Sequence, residues 1–165
     1  THALTDNFWK YGNRVELGTA GTNIELSSFG SHEWLMVRVF AVSAGNNADM
    51  SMQFNNVTSG YAWRRSSNGA TDSETASSSF IVGGTSAGTN TAIFKTILIR
   101  NQSDKEKLAI IHEVNGETAG AGTAAGRAVV VGKWVNTSSQ ITTIDFNSSS
   151  QNYASGSFVE VWGHD

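Results

Sequence analysis

The chain has no cysteine and no proline in its 165 residues. Without cysteine there are no disulfides and no thiolate metal sites, so the domain works equally in a reducing cytoplasm or outside a cell. Without proline the turns fall to glycine, whose 17 copies sit mostly between apolar runs. Charge is scarce as well: 15% of residues are Asp, Glu, Lys or Arg, and the net charge is −3. Nucleic acid, which needs a basic patch to neutralise phosphates, is therefore not an expected partner. No apolar run approaches the ~18–20 residues that span a bilayer, so no membrane partner is expected either.

The first residues, Thr1-His2-Ala3-Leu4-Thr5-Asp6, lack the basic-then-apolar pattern of a secretory signal. An N-terminal threonine is also what remains when an initiator methionine is trimmed. The expectation is a chain made in the cytoplasm and close to full length, with a cut fragment as the alternative.

What the sequence does contain is Ser, Thr, Asn and Gly in abundance, with 10% aromatics. That is the composition of a polar-surfaced β protein, and the length suits one domain with its own core. The dominant period is two. Met50, Met52 and Phe54 alternate with polar residues, and Ile141 to Phe146 and Phe158 to Trp162 are similar in length. Three longer segments, Trp34 to Val42, Ala92 to Ile99 and Ala128 to Val135, are apolar on both faces and read as central strands. Weaker candidates are Asn23 to Ser28, Tyr61 to Arg65, Ser79 to Val82 and Leu108 to Val114.

The intervening segments carry turn chemistry, as in Gly45-Asn46-Asn47, Ser67-Asn68-Gly69, Gly83 to Gly88 and Asn115-Gly116. Helical turns are expected only near Asp6 to Tyr11 and Ser103 to Lys107. Ser66 to Ser79 reads as one long exposed loop. Gly116 to Gly126 reads as a flexible loop or a flat packing surface. The expected fold is all-β: an antiparallel β-sandwich of jelly-roll type with about ten short strands. Residues 1–22 are expected to form an N-terminal arm and residues 23–165 the single sandwich domain.

Chemistry is harder to find. His2 and His164 sit at the chain ends, where exposure is expected; His32 lies in a turn and His112 within a strand, and no pair has a metal-ligand spacing. No metal and no cofactor is expected. Serine is plentiful, but no Gly-x-Ser-x-Gly elbow places one on a strand-to-helix turn, and Gly83-Gly84 and Gly120-Ala121-Gly122 lack the lysine and helix of a phosphate loop. Acidic residues such as Asp72 and Glu74, or Asp104 and Glu106, read as solvated surface, not as the facing carboxylates of a glycosidase. Four Asn-x-Ser/Thr sequons, at Asn56, Asn101, Asn136 and Asn147, are expected by chance in such a composition. The chain reads as a non-enzyme with no catalytic residues.

The aromatic residues say more. Tyr61, Trp63 and Arg65 share one face of a short strand, suited to core, to a subunit interface, or to stacking a ligand such as a sugar. Trp34, Trp134 and Trp162 are expected in the core. Phe8, Trp9 and Tyr11 would anchor the arm on this protein or on a neighbour. Arg38 is a lone charge in the apolar run Leu35 to Phe40, expected to pair with a residue such as Glu160 or across a subunit boundary.

The C-terminal segment runs from Lys133-Trp134-Val135-Asn136-Thr137-Ser138-Ser139-Gln140-Ile141-Thr142-Thr143-Ile144 into Gln151-Asn152-Tyr153-Ala154-Ser155-Gly156-Ser157-Phe158-Val159-Glu160-Val161-Trp162-Gly163. This resembles the ending of small jelly-roll virion proteins of tailed bacteriophages, of the capsid-decoration (cement) or tail-fibre type. The final thirty residues match well and the rest loosely; the charged end, His164-Asp165, departs from it. The resemblance implies a structural protein of the virion, on the capsid surface or in the tail, made in the host cytoplasm. Its expected partners are itself, as a homotrimer, and the major capsid protein. The alternative is a receptor-binding module that recognises host-surface carbohydrate (a glycan).

Overall fold

A computed structural model describes residues 8–45, 48–82, 91–116 and 120–165. The described residues contain no helix and twelve strands: β1 (Lys10–Glu16), β2 (Asn23–Ser27), β3 (Trp34–Val42), β4 (Ser51–Phe54), β5 (Tyr61–Ser67), β6 (Ser73–Ser78), β7 (Ile81–Val82), β8 (Ala92–Arg100), β9 (Lys107–Asn115), β10 (Gly126–Trp134), β11 (Thr143–Asn147) and β12 (Phe158–His164). They form an eight-stranded sheet, β1-β12-β3-β8-β9-β10-β5-β6, and a four-stranded sheet, β2-β11-β4-β7. All pairings are antiparallel.

The chain switches sheet at almost every step. β1, β3, β8 and β12 lie in the large sheet, while β2, β4, β7 and β11 between them lie in the small one. That alternation wraps the chain around the core as a jelly roll. Two hairpins depart from it. β5–β6 and β9–β10 stay in the large sheet and widen it from four strands to eight.

Alternation decides what is buried. Leu35, Val37, Val39 and Ala41 of β3 point inward, as do Ile97 and Ile99 of β8 and Ile111 of β9. The small sheet answers with Ile24, Leu26, Met52, Phe54, Ile144 and Phe146. Each fully buried aliphatic or aromatic side chain contributes about 1.5–3 kcal/mol. At one end of this layer the Tyr61 and Trp134 rings stack 6.0 Å apart, and Phe54 packs within 5.9 Å of both.

Polar side chains lock the loops to the core. Asn101 is buried; it accepts from the Ile141 amide at 2.6 Å and donates to the His32 carbonyl at 2.9 Å. Asn55, itself at φ 51°, accepts from the Thr142 and Thr143 amides and donates to the Gln140 carbonyl. The Asp49 carboxylate gathers donors from Ser148, Ser149 and Ser150. Buried Lys107 donates to the carbonyls of Lys105 and Asn136 at 2.6 and 2.9 Å. The Asn101 sequon is thus committed to the interior.

Two regions differ from the sequence reading. Lys10–Glu16, expected within an arm, forms edge strand β1 against β12. Ser73–Ser78, expected within a loop, forms edge strand β6 against β5. Both are short of apolar residues because an edge strand needs few to bury, so hydrophobic alternation cannot mark them. Neither expected helical turn forms among the described residues: Lys10 and Tyr11 belong to β1, and the chain before β9 makes a single turn in which the Lys105 amide donates to the Gln102 carbonyl. The turns at 46–47 and 83–88, and part of the Gly116 to Gly126 segment, lie outside the described residues.

Two measurements probe this packing. A Cβ on Gly132 would stand 2.9 Å from two carbons of the buried Ile81 side chain. Gly132→Ala should therefore lower the unfolding free energy in urea by about 1–3 kcal/mol. Burial pushes the Tyr61 hydroxyl up to about 12, against an ordinary value of 10.0. The unfolded chain then loses this proton before the folded chain does, so stability is full below pH ~10 and falls as pH rises toward 12. Urea midpoints measured across that range should decline less steeply in Tyr61→Phe. At neutral pH the same variant should cost about 1 kcal/mol, because the Phe54 amide loses its acceptor at 2.8 Å.

Candidate interaction surface

The outer face of the large sheet is organised in cross-strand rows, because residues in register share a face. One row runs Phe158–Phe40–Phe94–Val114 across β12, β3, β8 and β9. Another runs Tyr11–Trp162–Met36–Leu98–Ile110–Val131 from β1 to β10. Between them lies a polar row, Arg14–Glu160–Arg38–Thr96–His112.

The two halves of this face are finished differently. On the β1-β12-β3 half, cations cover the rings. Arg14 lies over Phe158 at 3.7 Å, Arg38 over Trp162 at 4.3 Å, and Arg100 over Trp34 at 4.6 Å. Glu160 holds two of these arginines, Arg38 at 2.8 Å and Arg14 at 3.7 Å. Trp34 and Trp162, expected in the core, thus stand on the outer face under guanidinium groups, and only Trp134 of the three is buried. Parity is the reason: Trp34 alternates with inward Leu35, and Trp162 with inward Val161.

On the β8–β10 half nothing comparable among the described residues covers the apolar side chains. Phe94, Leu98, Leu108, Ile110, Val114 and Val131 are between 37% and 54% exposed. The patch runs into an open groove of about 440 Å³ at its β5–β6 end. Small residues Ala62 and Ala76 contribute to its lining, together with Leu108, Val131, Lys133 and the Arg64–Glu74 ion pair. Large contiguous apolar patches on folded domains are where partner molecules are commonly found to bind, which makes this half the candidate surface.

The other predicted residues fall in several places. Tyr61 is 1% exposed; its hydroxyl accepts from Phe54 and donates to the Val57 carbonyl, so no ring face remains for a ligand. Trp63 packs partly buried against the core, and Arg65 follows on the same inward side of β5. Phe8 and Tyr11 are exposed, at 65% and 60%, at the β1 margin of the outer face. Phe8 stacks on His164 at 3.7 Å and meets Trp9 edge-on, so His164 is half-buried and not free in solvent as its terminal position suggested. His32 contacts Asp165 at 3.2 Å, His112 stands exposed in the polar row, and His2 lies outside the described residues.

Among the described residues no group of three or more His, Asp or Glu could hold a metal ion, and no helix is long and apolar enough to cross a membrane. The acidic residues noted in the sequence each face a cation: Glu74 and Asp72 face Arg64, Glu106 faces Lys133, and Asp104 faces Lys105. One acidic pair does meet. Asp145 of β11 stands opposite Glu25 of β2, and burial, then the Glu25 charge, raises its carboxyl above the ordinary range. Compared with family models, curated proteins and solved structures, the chain matches none.

The polar row offers a direct test. Removing the Glu160 charge leaves Arg14 and Arg38 facing each other across a neutral amide. Glu160→Gln should cost about 1 kcal/mol at low salt, and the difference should shrink as salt is added.

Proposed function

We propose that the protein is a non-enzymatic structural component of a tailed-phage particle: a capsid decoration (cement) protein acting as a symmetric homo-oligomer, most simply a trimer. The observation that carries this reading is the bare aliphatic half of the outer sheet face. The resemblance of the C-terminal segment to phage virion proteins supplies the setting.

The occupant of that face is another copy of the chain. A copy seated on the bare half and running on across the rows of β3, β12 and β1 would cover much of an eight-stranded face, on the order of the 800 Å² each partner gives a standard interface. The face carries no block of one charge that would repel its own copy, because the polar row alternates Arg14, Glu160 and Arg38. Phe8, Trp9 and Tyr11 form an aromatic margin that anchors to the neighbouring copy. Contacts between each oligomer and the major capsid protein are individually weak and add through multivalency. The glycan-binding alternative loses one of its two stacking rings, since Tyr61 lies in the core.

Two experiments test this. Ile110→Glu with Val131→Glu should give a monomer by analytical ultracentrifugation, with unfolding changed by about 1 kcal/mol at most, since both side chains are exposed. A monomeric wild-type chain would overturn the oligomer. Quantitative mass spectrometry of the purified particle should find the protein near-stoichiometric with the capsid lattice. A few copies per particle would move it to the tail, and its absence would remove the virion assignment.

A further inference from the structure

Lys95, Glu113 and Asn115 form a cluster on the inner face of β8 and β9, on the opposite side of the sheet from the candidate interaction surface. The side chains of Lys95 and Glu113 are 0% exposed, and Asn115 is 1% exposed. Lys95 stands directly opposite Glu113, and its Nζ donates to Glu113 Oε2. Asn115, two residues further along the same face of β9, donates from Nδ2 to the other oxygen, Glu113 Oε1, at 3.1 Å. One carboxylate therefore holds an amine and a carboxamide side by side.

The reach is right for more than hydrogen bonding. Diagonal neighbours on one face of an antiparallel pair lie about 7–8 Å apart, a gap that a lysine and an asparagine side chain can close between them. The register neighbours, Val39, Ile93 and Ala128, are buried and apolar. Burial lowers the affinity of the Lys95 amine for its proton, which favours the neutral, nucleophilic form, while Glu113 opposes this by its charge. A buried ion pair by itself contributes little net stability, so its desolvation is poorly repaid by attraction alone.

We propose that Lys95 and Asn115 join autocatalytically in an intramolecular isopeptide bond, with Glu113 as the general acid–base group. Glu113 takes a proton from the Lys95 ammonium. The freed Nζ lone pair attacks Asn115 Cγ, giving a tetrahedral centre whose oxygen carries the displaced electron pair. Glu113 relays protons to Nδ2, the Cγ–Nδ2 bond breaks, and ammonia leaves. An amide between Nζ and Cγ remains, and the lysine's positive charge departs as ammonium. No oxidant, metal or cofactor enters the balance, and the carboxylate is regenerated. The event happens once per chain and involves no external substrate.

Mass spectrometry of the intact, folded wild-type chain tests this directly. The expected mass is the sequence mass less one ammonia, and proteolysis should release a branched peptide carrying both Lys95 and Asn115. Lys95→Met, Asn115→Ala and Glu113→Gln should each restore the full mass expected for the variant. Chain recovered unfolded should start at full mass and lose ammonia as it refolds, which separates folding-driven chemistry from spontaneous deamidation. If a variant does not fold, this wild-type refolding course still decides the question. A folded wild-type chain of full mass, with Lys95 and Asn115 in separate linear peptides, would overturn the proposal.

Discussion

The structure depends on one constraint, the two-residue period of the strands that the large sheet shares with both its faces. In β3, β8, β9 and β10 every residue must satisfy either the interior or the outer surface, and a slip of one position would exchange the two sets. Register is held because the inner set is fully buried and closely packed. It is held also because Asn101, Asn55 and Lys107 tie the loops at one end of the sandwich to backbone groups. The outer face then follows from the same register. Its rows are in line because the inner rows are.

Widening of the sheet is the second determinant. A jelly roll of two four-stranded sheets can cover itself, but the added β5–β6 and β9–β10 hairpins give the large sheet twice the strands of the small one. The small sheet covers only the inner face. The outer surface therefore grows without any element of the described chain to cover it, and the aliphatic residues of β8, β9 and β10 are the result. On the β1-β12-β3 half the aromatic rings are covered by Arg14, Arg38 and Arg100. The rings of one half are thus covered from within the chain, while the apolar side chains of the other half stand bare among the described residues.

Much of this was legible in the sequence. The central strands were visible because their apolar content is high on both sides, and Trp34–Val42 has the bounds its pattern suggests. β1 and β6 were not, since edge strands of polar residues carry no alternation to read. The tryptophans mislead for a related reason. In a two-sided apolar strand, residue type does not tell which face is the core, and only counting from Leu35 or Val161 places Trp34 and Trp162 outside. The same count finds Lys95, because Ile93, Ile97 and Ile99 share its parity, and it finds Glu113 beside Ala109 and Ile111. Charged residues in a buried register were the signal, hidden within segments that read as simply hydrophobic. The bare patch needed the structure, since exposure depends on the hairpins having joined the larger sheet.

The placement of the five tryptophans has an optical consequence. Trp134, sealed between Tyr61 and Phe54, senses a dry environment, and its emission should shift red only when the interior opens. Trp34 and Trp162 lie beneath guanidinium groups on the outer face, where their emission responds to local charge and to water. A molecule docked across the outer face as far as β3 and β12 would change the water around these two indoles and leave Trp134 unchanged. The chain thus carries separate fluorescent reporters of its interior and of its surface, and docking and unfolding can be followed in one sample without an added label.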